Sequence, residues 1–171
     1  MTKHAVIRTD LMAGTEDYGQ LKSVKFYKSS SPAAIDNGNL VVIDSLLTGE
    51  REIYKAVAPT STSKPSHLYI TAGVVLFYDQ SVAHYEDEWE NAADTAIRAY
   101  KLHDGDVFGV TVDAFTSEPE VGNFVEFTAE NTKMTGNSSA SATSFGKVIA
   151  KESAGRYTYW VVAVMDVATA G

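Results

Sequence analysis

Three times along the chain, a cluster of residues that tolerate positive φ is followed at once by a short apolar run. Asp36-Asn37-Gly38-Asn39 precedes Leu40-Val41-Val42-Ile43, and Asp104-Gly105-Asp106 precedes Val107-Phe108-Gly109-Val110. Glu120-Val121-Gly122-Asn123 precedes Phe124-Val125-Glu126-Phe127 in the same way. Gly, Asn and Asp supply the backbone conformations that tight turns demand, and β-branched or aromatic runs of this length fit strands. Three turn-strand units predict an antiparallel, meander-like arrangement. The Gly-Asn pair followed by an apolar residue and valine occurs twice, but four residues are too few to define a repeat and read as turn chemistry.

Further strands are predicted over residues 24–27, 52–57, 68–71, 74–78, 97–102, 147–150 and 157–164, all rich in β-branched or aromatic residues. In the last of these, Tyr157, Tyr159, Val161 and Ala163 share one face, and Thr158, Trp160, Val162 and Val164 the other. Two mostly apolar faces predict a central strand, or one sandwiched between the core and a partner. Residues 85–96 alone read as helical, with Trp89, Ala92, Ala93 and Ala96 at helical spacing behind an acidic first turn. Ser- and Thr-rich stretches at 29–32, 59–66 and 135–144 read as loops, with 136–141 as an exposed tip. Residues 1–22 read as an extended N-terminal arm, because Ala13-Gly14-Thr15 and Tyr18-Gly19 separate the strand-like 5–9 from a β-rich body over 23–171. The architecture expected is mainly β, a small antiparallel β-barrel or β-sandwich with one short helix.

Length and composition narrow the function. At 171 residues the chain suits one domain with a sizeable core. Its longest apolar runs fall far short of the roughly 20 residues a membrane-spanning helix needs. Arg8 and Asp10 stand where a secretory signal would need its apolar stretch, so none is expected. Zero cysteines exclude disulfides, thiolate zinc sites and thiol catalysis, and fit synthesis in a reducing cytoplasm. A net charge of −8 argues against general nucleic-acid binding. The charge is uneven, since residues 1–30 carry Lys3, Arg8, Lys22, Lys25 and Lys28 against only Asp10, Glu16 and Asp17. Such an arm is either a chance fluctuation or a segment that reaches an acidic partner or a neighbouring copy.

Chemical motifs are mostly missing. Glycine-rich nucleotide loops, the serine elbow and the H-E-x-x-H zinc motif do not occur. Asp104-Gly105-Asp106 begins like a calcium loop, but Phe108 and Phe115 occupy positions that need oxygen ligands, so a turn is expected. No two of His4, His67, His84 and His103 have metal-ligand spacing, and no metal or other cofactor is expected. Asp79, Glu86, Asp87, Glu88, Glu90 and Asp94 form a run without Lys or Arg, which reads as a solvated face, a cation site or a match for a basic partner.

Several phrases together resemble a known class of protein. Residues 5–10 (Ala-Val-Ile-Arg-Thr-Asp), 35–39 (Ile-Asp-Asn-Gly-Asn), 49–55 (Gly-Glu-Arg-Glu-Ile-Tyr-Lys), 119–125 (Pro-Glu-Val-Gly-Asn-Phe-Val) and the stretch from Gly146 to Tyr157 look like small proteins of the head-gene clusters of tailed bacteriophages. Those resemble capsid decoration, or cement, proteins. The resemblance implies a cofactor-free, non-enzymatic β module that binds the major capsid protein lattice at the virion surface, and it supplies no catalytic residues. Alternatives are another virion or surface module, such as a fibre tip or carbohydrate-binding domain, and an enzyme with dispersed residues. The arm's Val6, Ile7, Arg8, Leu11 and Met12 are the expected contacts to the capsid or to a neighbouring copy, by strand addition to an exposed edge.

Overall fold

The computed structural model describes residues 3–9, 21–79 and 81–165. Among them are twelve strands: β1 (Ile7–Arg8), β2 (Leu21–Lys28), β3 (Ser31–Pro32), β4 (Leu40–Leu46), β5 (Ile53–Val57), β6 (Leu68–Thr71), β7 (Ile97–Lys101), β8 (Val107–Val110), β9 (Phe124–Phe127), β10 (Met134–Asn137), β11 (Ser144–Ala154) and β12 (Tyr157–Val164). The three predicted turns form, and Gly38, Gly105 and Gly122 take φ of 79°, 93° and 98°, a region open to glycine at no steric cost.

The strands make two layers. One is a six-stranded sheet in the order β1-β8-β12-β11-β9-β10. The other runs β3-β2-β5-β4-β6-β7, and a further β2–β7 pairing closes five of its strands into a ring. Within that ring β2 and β5 run parallel while the other four pairings are antiparallel. The fold is thus mainly β and sandwich-like, as expected, with one layer curled on itself.

Strand alternation divides the core between the layers. Along β4, Leu40 and Val42 join the interlayer core while Val41 and Ile43 join the smaller core inside the ring. Leu68 and Ile70 of β6 face the interlayer core, and Tyr69 between them faces the other. The sheet answers with Phe108 and Val110 of β8, Phe145 and Val148 of β11, and Trp160 and Val162 of β12, all buried. Tyr159 and Val161 on the opposite face of β12 are buried as well, which fits its central place between β8 and β11.

Four expectations need correction. No helix forms over residues 85–96; a single 3-10 turn spans Glu86–Glu88. Asn91 instead bridges to Ile35, and Asp94 adopts φ of 62°. A helix would also have set Glu86, Glu90 and Asp94 four residues apart with like charges facing. Residues 3–9 are not a detached arm: Ala5 and Val6 are buried and β1 pairs with β8, while the expected boundary at residue 22 falls inside β2. Residues 74–78 join no ladder. The Ser-rich stretch 135–144 also contributes residues 135–137 to the edge strand β10.

Candidate binding surface

Strands β6 and β7 are neighbours, yet the chain takes residues 72–96 to pass between them. Connections beyond roughly 12–15 residues without regular structure are uncommon and usually functional. Both feet of this excursion are fixed by buried carboxamides. Gly73 donates its N–H to Asn37 Oδ1 at 2.7 Å, and its carbonyl accepts from Asn37 Nδ2 at 3.1 Å. Asn91 Nδ2 donates to Asn37 Oδ1 and to the Ile35 carbonyl, both at 2.9 Å. A Cβ at position 73 would stand 2.2 Å from Asn91 Oδ1, so only glycine fits between these side chains.

Above the feet the excursion packs on itself. The Phe77 and His84 rings stack at 4.4 Å, and Trp89 meets Phe77 edge-on at 5.3 Å. Asp87 holds the excursion to the rest of the molecule. Its carboxylate pairs with Lys3, accepts from Tyr157 Oη at 3.3 Å and lies 3.9 Å from Arg156, while its carbonyl accepts from the His4 N–H at 3.1 Å. The Lys3 hydrogen bond, reinforced by the Lys3 and Arg156 charges, lowers the Asp87 pKa against the opposing effect of burial. Burial raises that of Tyr157. The Arg156 guanidinium lies 3.5 Å from the centre of the Tyr85 ring.

Besides charged and polar residues, this framework presents several large apolar side chains to solvent. Val74 is 61% exposed, Tyr78 89% and Val82 60%, with Leu76 and Tyr85 also exposed. Val75 and Phe77 are half-buried, and Val75 faces the cleft that Ala5, Val6 and Ile7 line. Val74, Leu76 and Tyr78 stand at alternate positions of one extended stretch, and clustered exposed apolar side chains mark an interaction site where single ones do not. Exposed Asp79, Glu86 and Glu90 flank this ridge, and the run from 79 to 94 contains no Lys or Arg.

The contacts expected from the sequence lie elsewhere. Val6 is buried, exchanging hydrogen bonds with Thr111 (Val6 N–H to Thr111 Oγ1, Thr111 N–H to the Val6 carbonyl). Ile7 packs on the interlayer core, and Arg8 pairs with Glu152 at 3.1 Å over the Tyr159 ring. Leu11 and Met12 lie outside the described residues. Asp106 accepts from the His103 N–H at 2.9 Å, the work of a turn residue. His4 Nδ1 lies 2.7 Å from Asp36 Oδ1, and Glu90 brings a third ligand atom within 4.8 Å of both, a grouping from three distant segments that spacing could not reveal. Among the described residues this is the grouping that could hold a metal ion; in the structure His4 and Asp36 bond to each other. Among the described residues no helix is long and apolar enough to cross a membrane. Neither protein-family models, nor curated proteins, nor solved structures include a match to this chain.

Proposed function

We propose that this chain is a structural virion protein that binds the outer surface of a phage capsid and stabilises the shell, with no catalytic step. The observation that carries the reading is the ridge of Val74, Leu76, Tyr78, Val82 and Tyr85, exposed on an excursion braced from beneath. Exposing so much apolar surface costs solubility, and a partner surface that covers it offsets the cost. The turn phrases that resemble decoration proteins point to which partner. A shell offers many equivalent sites, so modest affinity per copy suffices when copies act together. A ligand that binds only the assembled shell stabilises it by mass action.

The test mixes purified protein with undecorated expanded capsids and, separately, with unassembled capsid subunits. Stoichiometric binding to shells alone, with greater resistance of the shells to heat, is expected. Leu76→Ser with Tyr78→Ser should abolish binding while leaving the fold intact. Binding to a polysaccharide in place of shells, through the exposed Tyr78 and Tyr85 rings, would replace this reading with that of a fibre-tip or carbohydrate-binding module.

A further inference from the structure

The run Val74-Val75-Leu76-Phe77-Tyr78 has the composition of a strand, with four of its five residues β-branched or aromatic and the fifth, Leu76, large and apolar. Its exposure alternates with a period of two, out at 74, 76 and 78 and half-buried at 75 and 77, which is the alternation of a strand lying on a surface. Yet no N–H or carbonyl of residues 74–78 bonds to another described residue. The ladder stops just before it. Ala72 still donates to the Arg98 carbonyl, and then both backbone groups of Gly73 are taken by the Asn37 side chain, which stands where a neighbouring strand would.

A segment with strand sequence and strand alternation but no ladder is a local preference left unmet among the described residues. Natural proteins blunt such edges with Lys, Pro or a bulge. Residues 73–78 contain none of the first two, and the nearest charge is Asp79.

We propose that residues 74–78 form a docking edge for an extended segment of the partner, which adds its backbone alongside them and carries Lys or Arg where it passes Asp79, Glu86 and Glu90. Strand addition supplies affinity through main-chain hydrogen bonds and specificity through alternate side chains. Here Val74, Leu76 and Tyr78 stand about 6.6 Å apart in such a register. The flanking charge sets the partner's sign: Asp87 is answered within the chain by Lys3 and Arg156, but Glu86 and Glu90 have no ion pair among the described residues. Opposite charge on the incoming segment steers it and rejects acidic competitors. The proposal rests on the shell-binding reading only for who the partner is.

Hydrogen-exchange mass spectrometry on the full chain tests it, following the fragment that covers 74–78. Two probes are used: the peptide Lys-Thr-Val-Thr-Val-Thr-Lys, and the same peptide with Glu at both ends. The free chain should exchange these amides at nearly the unprotected rate. Saturating Lys-flanked peptide should slow them at least tenfold, and the Glu-flanked peptide should bind at least tenfold more weakly at low salt, with the gap narrowing as salt screens the charges. Failure of the Lys-flanked peptide to slow these amides overturns the proposal, as does equal binding of the two peptides. Protection that instead grows with protein concentration in the chain alone, together with a dimer mass, assigns the edge to a second copy and also overturns it. Undecorated shells form a separate arm. Shells that fail to bind sink the shell-binding reading and leave the peptide result standing, whereas shells that bind while 74–78 exchanges freely overturn the docking edge.

Discussion

Residues 74–78 and strand β12 (Tyr157–Val164) are built from the same material, valines and aromatics on both faces, and meet opposite fates. β12 lies between β8 and β11, with Trp160 and Val162 in the interlayer core and Tyr159 and Val161 buried on the other side. Residues 74–78 have no ladder with any described residue and three exposed apolar side chains. Composition therefore sets what a segment can do, and its neighbours set what it does. β12 follows a tight turn at Gly155 that folds it straight back on β11. The chain leaving β6 instead meets Asn37, whose carboxamide ends the ladder at Gly73.

The buried side of the contrast is most exposed to mutation in the interlayer core. Phe108→Ala, at a fully buried position beside β12 that faces the interlayer core, should cost roughly 3–5 kcal/mol. Urea unfolding checks it. A loss below about 1 kcal/mol would mean that the two layers do not share a core in solution.

A smaller effect is expected at the feet of the excursion. Asn91→Ala leaves the Ile35 carbonyl and Asn37 Oδ1 without the carboxamide donor, which should cost about 1–3 kcal/mol. Exchange of the 74–96 amides should quicken more than that of β12. If both regions loosen equally, the feet are part of the global folding unit and the contrast between the two segments is one of exposure alone.

How far the sequence was legible follows the same division. Bounds of β8, β9 and β12 match the residues read as strands, because turn glycines and period-two alternation lie close together in the chain. Strand β10 escaped, since Thr135-Gly136-Asn137 has edge composition and its pairing to β9 depends on a distant partner. The false helix over 85–96 came from alanine spacing, although the like charges four residues apart were a legible warning. Residues 5–9 looked like an arm because the signals beside them are turn-like. Their burial depends on β8, a hundred residues away. The Asn37, Gly73 and Asn91 network joins three segments, and only Asn37 drew notice, as a turn residue.

Acid should sharpen the contrast next, because Asp87 ties the excursion to the N-terminal residues and β12. Its folded pKa lies below the ordinary carboxylate value of about 3.9. Its contribution is therefore complete above that value and is lost as pH falls through the lower folded value. Asp87→Asn should lower the melting temperature at pH 7, and the gap to the wild type should close progressively below pH 4. A gap that stays constant down to pH 2 would show that the Lys3 and Arg156 charges do not act through this carboxylate.

The smallest effect belongs to the ridge itself. Replacing Val74, Leu76 and Tyr78 together by Ser removes apolar side chains as large as those of β12, yet they bury little surface in the single chain, so unfolding free energy should move by no more than about 0.5 kcal/mol. The same change should raise solubility, because it dissolves the exposed patch. Equal losses of stability from this triple variant and from Val162→Ser would mean that the ridge is buried in the free molecule. A stable triple variant that no longer attaches to shells would instead place the work of these residues in the contact they make with another surface, which is where the comparison with β12 puts it.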